Sequence, residues 1–332
     1  MTNPTDRLNR DRGPVSSRRF VLGALAAGVG SLAAPWVARA VAVEPDFPSE
    51  LAPVVARAKR AGLRNLGFSA SKANHYLGVG DSPTLFRDQA LAICEKLATV
   101  YRDYFEAKGF TLSPPADRLV VVVLKDKASY RSFVGDAEGA EVGAEVGGHY
   151  DVDANQLVVF DSVHNDDGGA GSARVNTFTL VHEALHQLTY NSGLLERRGD
   201  VPVAISEGLA TFGELWQHSN RRSTLGVKNS ARLSAFTQSE SPVGWIPIEE
   251  LLNKDELFSD AEAAQIAYAE SWVLVHYFLR TPTKLPKFRA YLDAIRQRHE
   301  PAHRLDDART HLGDLDRLDK ALRQYRDKQL RP

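Results

Sequence analysis

The segment His182-Glu183-Ala184-Leu185-His186 constrains this chain more than any other. It lies in a stretch of helical periodicity, Arg174 to Tyr190, and so fixes what each side of that helix must face. Residues four apart on a helix lie about 40° apart around its axis, so both imidazoles reach one metal ion. Glu183 projects about 60° from His186, beside that position but too angled to be a ligand, which suits a base acting on metal-bound water. Phe178, Val181, Leu185 and Leu188 cluster on a face roughly 110° round from the histidines. That face is expected to bury the helix and leave the histidines to a cleft.

A metal site of this kind needs a third ligand. Twenty residues separate His186 from Glu207, which sits in the helical, largely apolar stretch Ile205-Ser206-Glu207-Gly208-Leu209-Ala210-Thr211-Phe212. An acid in such surroundings has no reason to be there as an ordinary exposed carboxylate. Zinc hydrolases keep three protein ligands and an open fourth position, and two His with one Glu is a recognised set. The small residues Gly208 and Ala210 are expected to let this helix approach the His182–His186 helix closely.

The rest of the chain divides by pattern. Ser49 to Ala61 reads as a helix, Phe68 to Val79 as extended, and Ser82-Pro83 opens a long helix to Ala107, closed by Gly109. The continuous apolar run Leu119 to Leu124 suits a strand buried on both faces. A helix is expected over Ala128 to Val134. Tyr150 and Gln156 to Phe160 form a strand pair turning at Asp153-Ala154-Asn155. After a Gly/Asp loop at Asp166 to Gly171, helical periodicity covers Val203–His218, Ala261–Leu279, Lys287–Arg298 and Leu315–Lys328. Strands first and helices afterwards is the order of an α+β protein. The expected parts are residues 41–66 as an N-terminal helical segment, 67–219 as a sheet-bearing lobe, and 245–332 as a helical lobe. The boundary falls in the polar stretch Asn220 to Pro242.

Residues 1–40 are set apart by composition. Arg18 and Arg19 precede the Ala/Gly-rich run Val21 to Ala34, and Ala38-Arg39-Ala40 ends the segment. This resembles a twin-arginine export signal, although Phe20 follows the pair directly instead of one residue later. The resemblance implies the twin-arginine machinery as a partner, folding before export and a periplasmic or otherwise exported location. The apolar run is shorter than the roughly 20 residues that span a bilayer, so no stable membrane span is expected in the mature form. Without residues 1–40 the chain loses six of 41 basic and two of 42 acidic residues, leaving 35 against 40. That mildly acidic body, with no Lys/Arg-rich run, excludes nucleic acid as the expected partner. The single cysteine, Cys94, permits no intrachain disulfide and no Cys-based zinc set.

His182, Glu183, His186 and the Ser206-Glu207-Gly208-Leu209-Ala210 block, with the later Tyr268-Ala269-Glu270-Ser271-Trp272 and, loosely, Gly147-Gly148-His149-Tyr150-Asp151, resemble the gluzincins of the peptidase MA clan, and among them the bacterial peptidase MA-like domains. The resemblance covers about residues 67 to 330. It implies a zincin-like fold with the active-site cleft between a mixed-sheet lobe and a helical lobe. It also implies Zn²⁺ on His182, His186 and Glu207, a peptide or protein substrate, and Tyr268 as donor to the developing oxyanion. Two departures stand out. Thermolysin-like enzymes carry an Asp four residues after the glutamate ligand to orient a histidine. Here that position is Thr211, and Glu214, one turn further, is the other candidate. Aminopeptidase-N-like enzymes hold the substrate's amino terminus with a glutamate, and Gly147 to Asp151 contains none, which leaves endopeptidase action as the default.

The remaining histidines carry less. His276 reads as a satisfied core residue, and His75, His299, His303 and His311 as surface residues. His149 stays ambiguous, since it precedes an edge strand that would line the cleft. The expected chemistry is hydrolysis with zinc-activated water and Glu183 as general base. The alternative from another class is an inactive metallopeptidase-like module that binds or scaffolds in the cell envelope.

Overall fold

Leu119–Leu124 forms β3, the central strand of a five-stranded sheet with order β1-β2-β3-β5-β4. The flanking strands are β1 (Gly67–Ala70), β2 (Tyr76–Gly80), β4 (Gly148–Asp151) and β5 (Gln156–Phe160). β2, β3 and β5 run parallel, and β1 and β4 close the two edges antiparallel. The Val-rich run does what its composition requires: Val121 and Val123 enter one core, Val122 and Leu124 the other, because successive side chains point to opposite faces. The expected extended stretch Phe68 to Val79 is two strands, turning through Asn74 in the left-handed region. This computed structural model describes residues 45–135, 147–161, 176–217, 224–238 and 244–330. The expected leader at 1–40, the loop at 166–171 and the two ends of the boundary at 220–242 lie outside the described residues.

The helices are α1 (Ala52–Arg60), α2 (Thr84–Ala107), α3 (Lys127–Val134), α4 (Thr177–Asn191), α5 (Val203–Gly213), α6 (Ser230–Gln238), α7 (Ile248–Asn253), α8 (Ala264–Arg280), α9 (Leu285–Ile295), α10 (Arg304–Leu312) and α11 (Leu315–Gln329). The protein is therefore α+β, with the mixed sheet in the N-terminal half and mostly helices after it. α1 and α3 cover one face of the sheet. α2 and α4 cover the other, and their core continues without a break into α5, α8 and the helices that follow. Among the described residues, no helix is long and apolar enough to cross a membrane.

Two connections fix where the site helices lie. α4 is tied to the sheet by Gln187, whose Nε2 donates to the Val120 carbonyl at 3.0 Å. α5 begins after Pro202 with no side-chain cap of its own, and its Val203 N–H donates instead to Asp255 Oδ1 at 3.0 Å. Asp255 and Asp200 are both held by the buried Arg304 of α10. A buried, multiply bonded guanidinium satisfies the charges that anchor the start of α5.

Several expectations need correction. Phe178 does not help to bury α4: it is 45% exposed, because it lies in the first turn, and Val181, Leu185 and Leu188 are joined in the core by Leu180 and Ala184 instead. α5 stops at Gly213 instead of running to His218. Gly208 serves a different neighbour from the one expected. A Cβ there would meet the Ser271 carbonyl oxygen of α8 at 2.6 Å, whereas Gly213 is the residue that admits α4, through Leu185.

Candidate metal centre

α4 and α5 bring three donors together. His182 Nε2 lies 3.2 Å from Glu207 Oε2, His186 Nε2 lies 3.4 Å from Glu207 Oε1, and the two Nε2 atoms are 3.3 Å apart. Metal–ligand distances of 2.0–2.2 Å in tetrahedral geometry put neighbouring donors roughly 3.3 Å apart. The two Nε2 atoms stand close to that separation, as does each Nε2 from one of the two Glu207 oxygens, and one donor atom from each residue lies within 4.8 Å of the others, so the triangle of His182, His186 and Glu207 is a group that could bind a metal ion. Both histidines are buried and Glu207 is half-buried.

The far nitrogen of each ring is held, which directs Nε2 inward. His182 Nδ1 meets Glu214 Oε2 at 3.1 Å. His186 Nδ1 meets Ser206 Oγ at 3.1 Å, and Tyr190 OH donates to the same oxygen at 3.2 Å. Of the two residues suggested by the sequence as orienters, Thr211 is used up within its own helix, donating to the Glu207 carbonyl at 2.7 Å. Glu214, at the C-cap of α5, is the one that reaches a histidine.

Glu183 stands beside the triangle and not in it. Its Oε2 accepts from the Tyr150 N–H of β4 at 2.8 Å. Edge strand and helix are further clamped by the stacked rings of Tyr150 and Tyr190, 6.1 Å apart. Reciprocal amide bonds of 2.9 and 2.7 Å join Asn155 and Asn191. Tyr268, in the second turn of α8, is exposed to the same charges. The charge of Glu207, then burial and the charge of Glu183, push its phenol well above the ordinary tyrosine value, so it stays a proton donor.

Burial and the neighbouring charges act on these groups in opposite directions. Burial opposes ionisation of Glu207, but His186 and His182 outweigh it and hold the carboxyl far below the usual range. Burial likewise opposes a charge on His182, yet hydrogen bonds to Glu207 and Glu214 push it up to about 10. Glu183 is raised by burial. Glu214 is lowered in spite of burial, by His182 and Arg232.

Residues 176–301 match a family described as a protein of unknown function, DUF1570. No curated protein matches the chain. The matched span opens at Asn176, the N-cap of α4, and contains every residue of the centre described so far except Tyr150 and Asn155 of the β4–β5 hairpin.

Arg232 and Asn229 escaped the sequence reading. Asn220 to Pro242 looks polar and weakly patterned, yet it holds α6, and α6 points Arg232 at Glu214 with bonds of 2.9 Å from both Nε and Nη2. The available signal was a capping residue: Asn229 Oδ1 accepts from Arg232 N at 3.1 Å. His149 has a partner in Tyr130, whose hydroxyl meets its Nδ1 at 2.6 Å. His276 is satisfied by Tyr325 OH at 2.9 Å, as a core histidine should be.

Proposed function

We propose that the protein is a zinc-dependent hydrolase, specifically a peptidase with endopeptidase action as the default, exported by the twin-arginine route. The observation that carries this reading is the triangle of His182, His186 and Glu207 donors with Glu183 held beside it. His182, His186 and Glu207 would hold the zinc, which supplies Lewis acidity, lowering the pKa of water to roughly 7 and polarising a scissile carbonyl.

The chain's own residues account for the proton movements. Glu183 takes a proton from water and passes it to the leaving amine. The Tyr150 N–H fixes one oxygen of that carboxylate, which leaves the other for the proton. Burial raises the Glu183 carboxyl, bringing it closer to a working general base. Tyr268 keeps its proton and donates a hydrogen bond to the oxygen that gains charge. A module that only binds or scaffolds has no use for an acid placed beside the donors and outside their triangle, which favours the enzyme over that alternative.

Metal analysis of purified protein should return one zinc per chain, with stability falling on chelation. Glu183→Gln should keep that zinc and lose about 10²- to 10⁴-fold in turnover, read by cleavage profiling of a peptide library and of envelope extract. Protein without stoichiometric zinc, and indifferent to chelators, overturns the reading. Zinc-loaded protein that cleaves nothing in either pool favours the scaffolding module.

A further inference from the structure

None of the steps above uses Arg232, although it is tightly held beside the centre. Its side chain is only 18% exposed. By its edge it forms a two-point fork with Glu214, Nε to Oε1 and Nη2 to Oε2, each 2.9 Å. The same Glu214 Oε2 meets His182 Nδ1 at 3.1 Å, and Asn229 Nδ2 donates to Glu214 Oε1. The central carbon of the guanidinium also lies over the ring of Tyr268, 5.1 Å from the ring centroid. A planar group with a rigid fork of donors can bond a carboxylate at its edge while stacking on an aromatic ring, which an ammonium cannot do.

The charges agree with that geometry. Glu183, Glu207 and Glu214 bring three negative charges to this small volume and Arg232 brings one positive charge, so a single dication leaves the centre neutral. Without Arg232 the loaded centre keeps an uncompensated negative charge at partly buried groups, which is costly. We propose that Arg232 is a positioning residue that couples the orientation of the metal ligand His182, through Glu214, to the placement of Tyr268. The inference rests on the metal-site reading above. In this arrangement Glu214 fixes the proton of His182 on Nδ1 and frees Nε2, and Arg232 fixes Glu214. The ring that supplies the oxyanion donor packs on that same guanidinium.

The test compares wild type, Arg232→Gln, Arg232→Lys, Glu214→Gln and the Arg232→Gln/Glu214→Gln double variant. Zinc affinity is read by competition with a chromophoric chelator. The site of Tyr268 is read by ¹⁹F NMR of protein carrying fluorotyrosine, with its resonance identified by loss in Tyr268→Phe. Arg232→Gln should weaken zinc about tenfold, and the double variant should bind no more weakly than Glu214→Gln alone, because the two act in series. Arg232→Lys should fall between wild type and Arg232→Gln. Glu214→Gln should shift the Tyr268 resonance in the wild-type background and leave it unmoved when Arg232 is already Gln. Circular dichroism checks that each variant folds, and Glu214→Gln with Arg232→Lys carries the test if Arg232→Gln does not. A wild type that takes up no zinc overturns the metal-site reading. If wild type loads and the variants load equally tightly, or if the Tyr268 resonance ignores Glu214→Gln, this inference alone fails.

Discussion

His182 and His186 stand one turn apart on the same helix, yet the structure holds them by opposite means. Behind His182 lies a network of charges, Glu214 gripped by Arg232 and by Asn229. Behind His186 lie two neutral hydroxyls, Ser206 and Tyr190, and the neighbouring clamp of Tyr150, Asn155 and Asn191 is neutral as well. A buried carboxylate is a stronger acceptor than a hydroxyl and is expensive to leave unpaired. The two sides should therefore differ in how sharply they respond to protons and to substitution.

The largest response is expected from pH. His182 has a folded value of about 10 in the metal-free chain, above the roughly 6.5 of an unperturbed histidine. A raised value means that the protonated ring contributes stability, fully present below about pH 6.5 and lost as pH rises through about 10. A metal needs the neutral ring, so loading must displace this proton. Apparent zinc affinity should rise about tenfold per pH unit between pH 7 and 9. Over the same window the thermal stability of chelator-treated protein should fall. Chelator titrations and thermal melts across pH measure both. A flat affinity profile would mean that the charged network does not hold a proton on His182, and the contrast between the two histidines would collapse.

Next in size is Glu214→Gln. Loss of an outer partner of a ligating histidine costs 10- to 100-fold in metal affinity, and here it also strands Arg232, which is partly buried. The pH profile of that variant should be shallower than that of wild type, because His182 has lost one of the two carboxylates that raise it. Competition with a chelator at two pH values separates the two effects.

How much of this contrast could be read beforehand depended on whether the information was local. The strands Leu119–Leu124 and Gln156–Phe160 match their apolar runs residue for residue, since burial on both faces leaves a continuous signature. His182, His186 and Glu207 were legible because their spacing on two helices encodes a common target. The partners behind them were not. Whether Thr211 or Glu214 reaches a histidine depends on which face of α5 is turned to α4: Thr211 bonds back to its own helix, while Glu214, the C-cap, meets His182. Arg232 reaches Glu214 only because α6 packs back on α8, and α6 has too few apolar positions, chiefly Leu233 and Phe236, to announce itself. The approach of Gly208 to α8 instead of α4 is likewise a matter of helix orientation, which composition does not record.

The smallest effect belongs to the neutral side. Ser206→Ala removes the oxygen that His186 Nδ1 and Tyr190 OH share. A neutral hydrogen bond contributes about 1 kcal/mol net, so zinc affinity should fall only about fivefold, with no change in the slope of its pH dependence. Tyr190 remains stacked on Tyr150, so its ring should stay in place and its hydroxyl lies within reach of a water that replaces the serine oxygen. Chelator competition on Ser206→Ala beside Glu214→Gln tests the contrast directly. A loss as large as that of Glu214→Gln would show that His186 depends on its hydroxyl as strongly as His182 depends on its carboxylate. The orientation of both rings, and not the charge behind one of them, would then set the affinity of the centre.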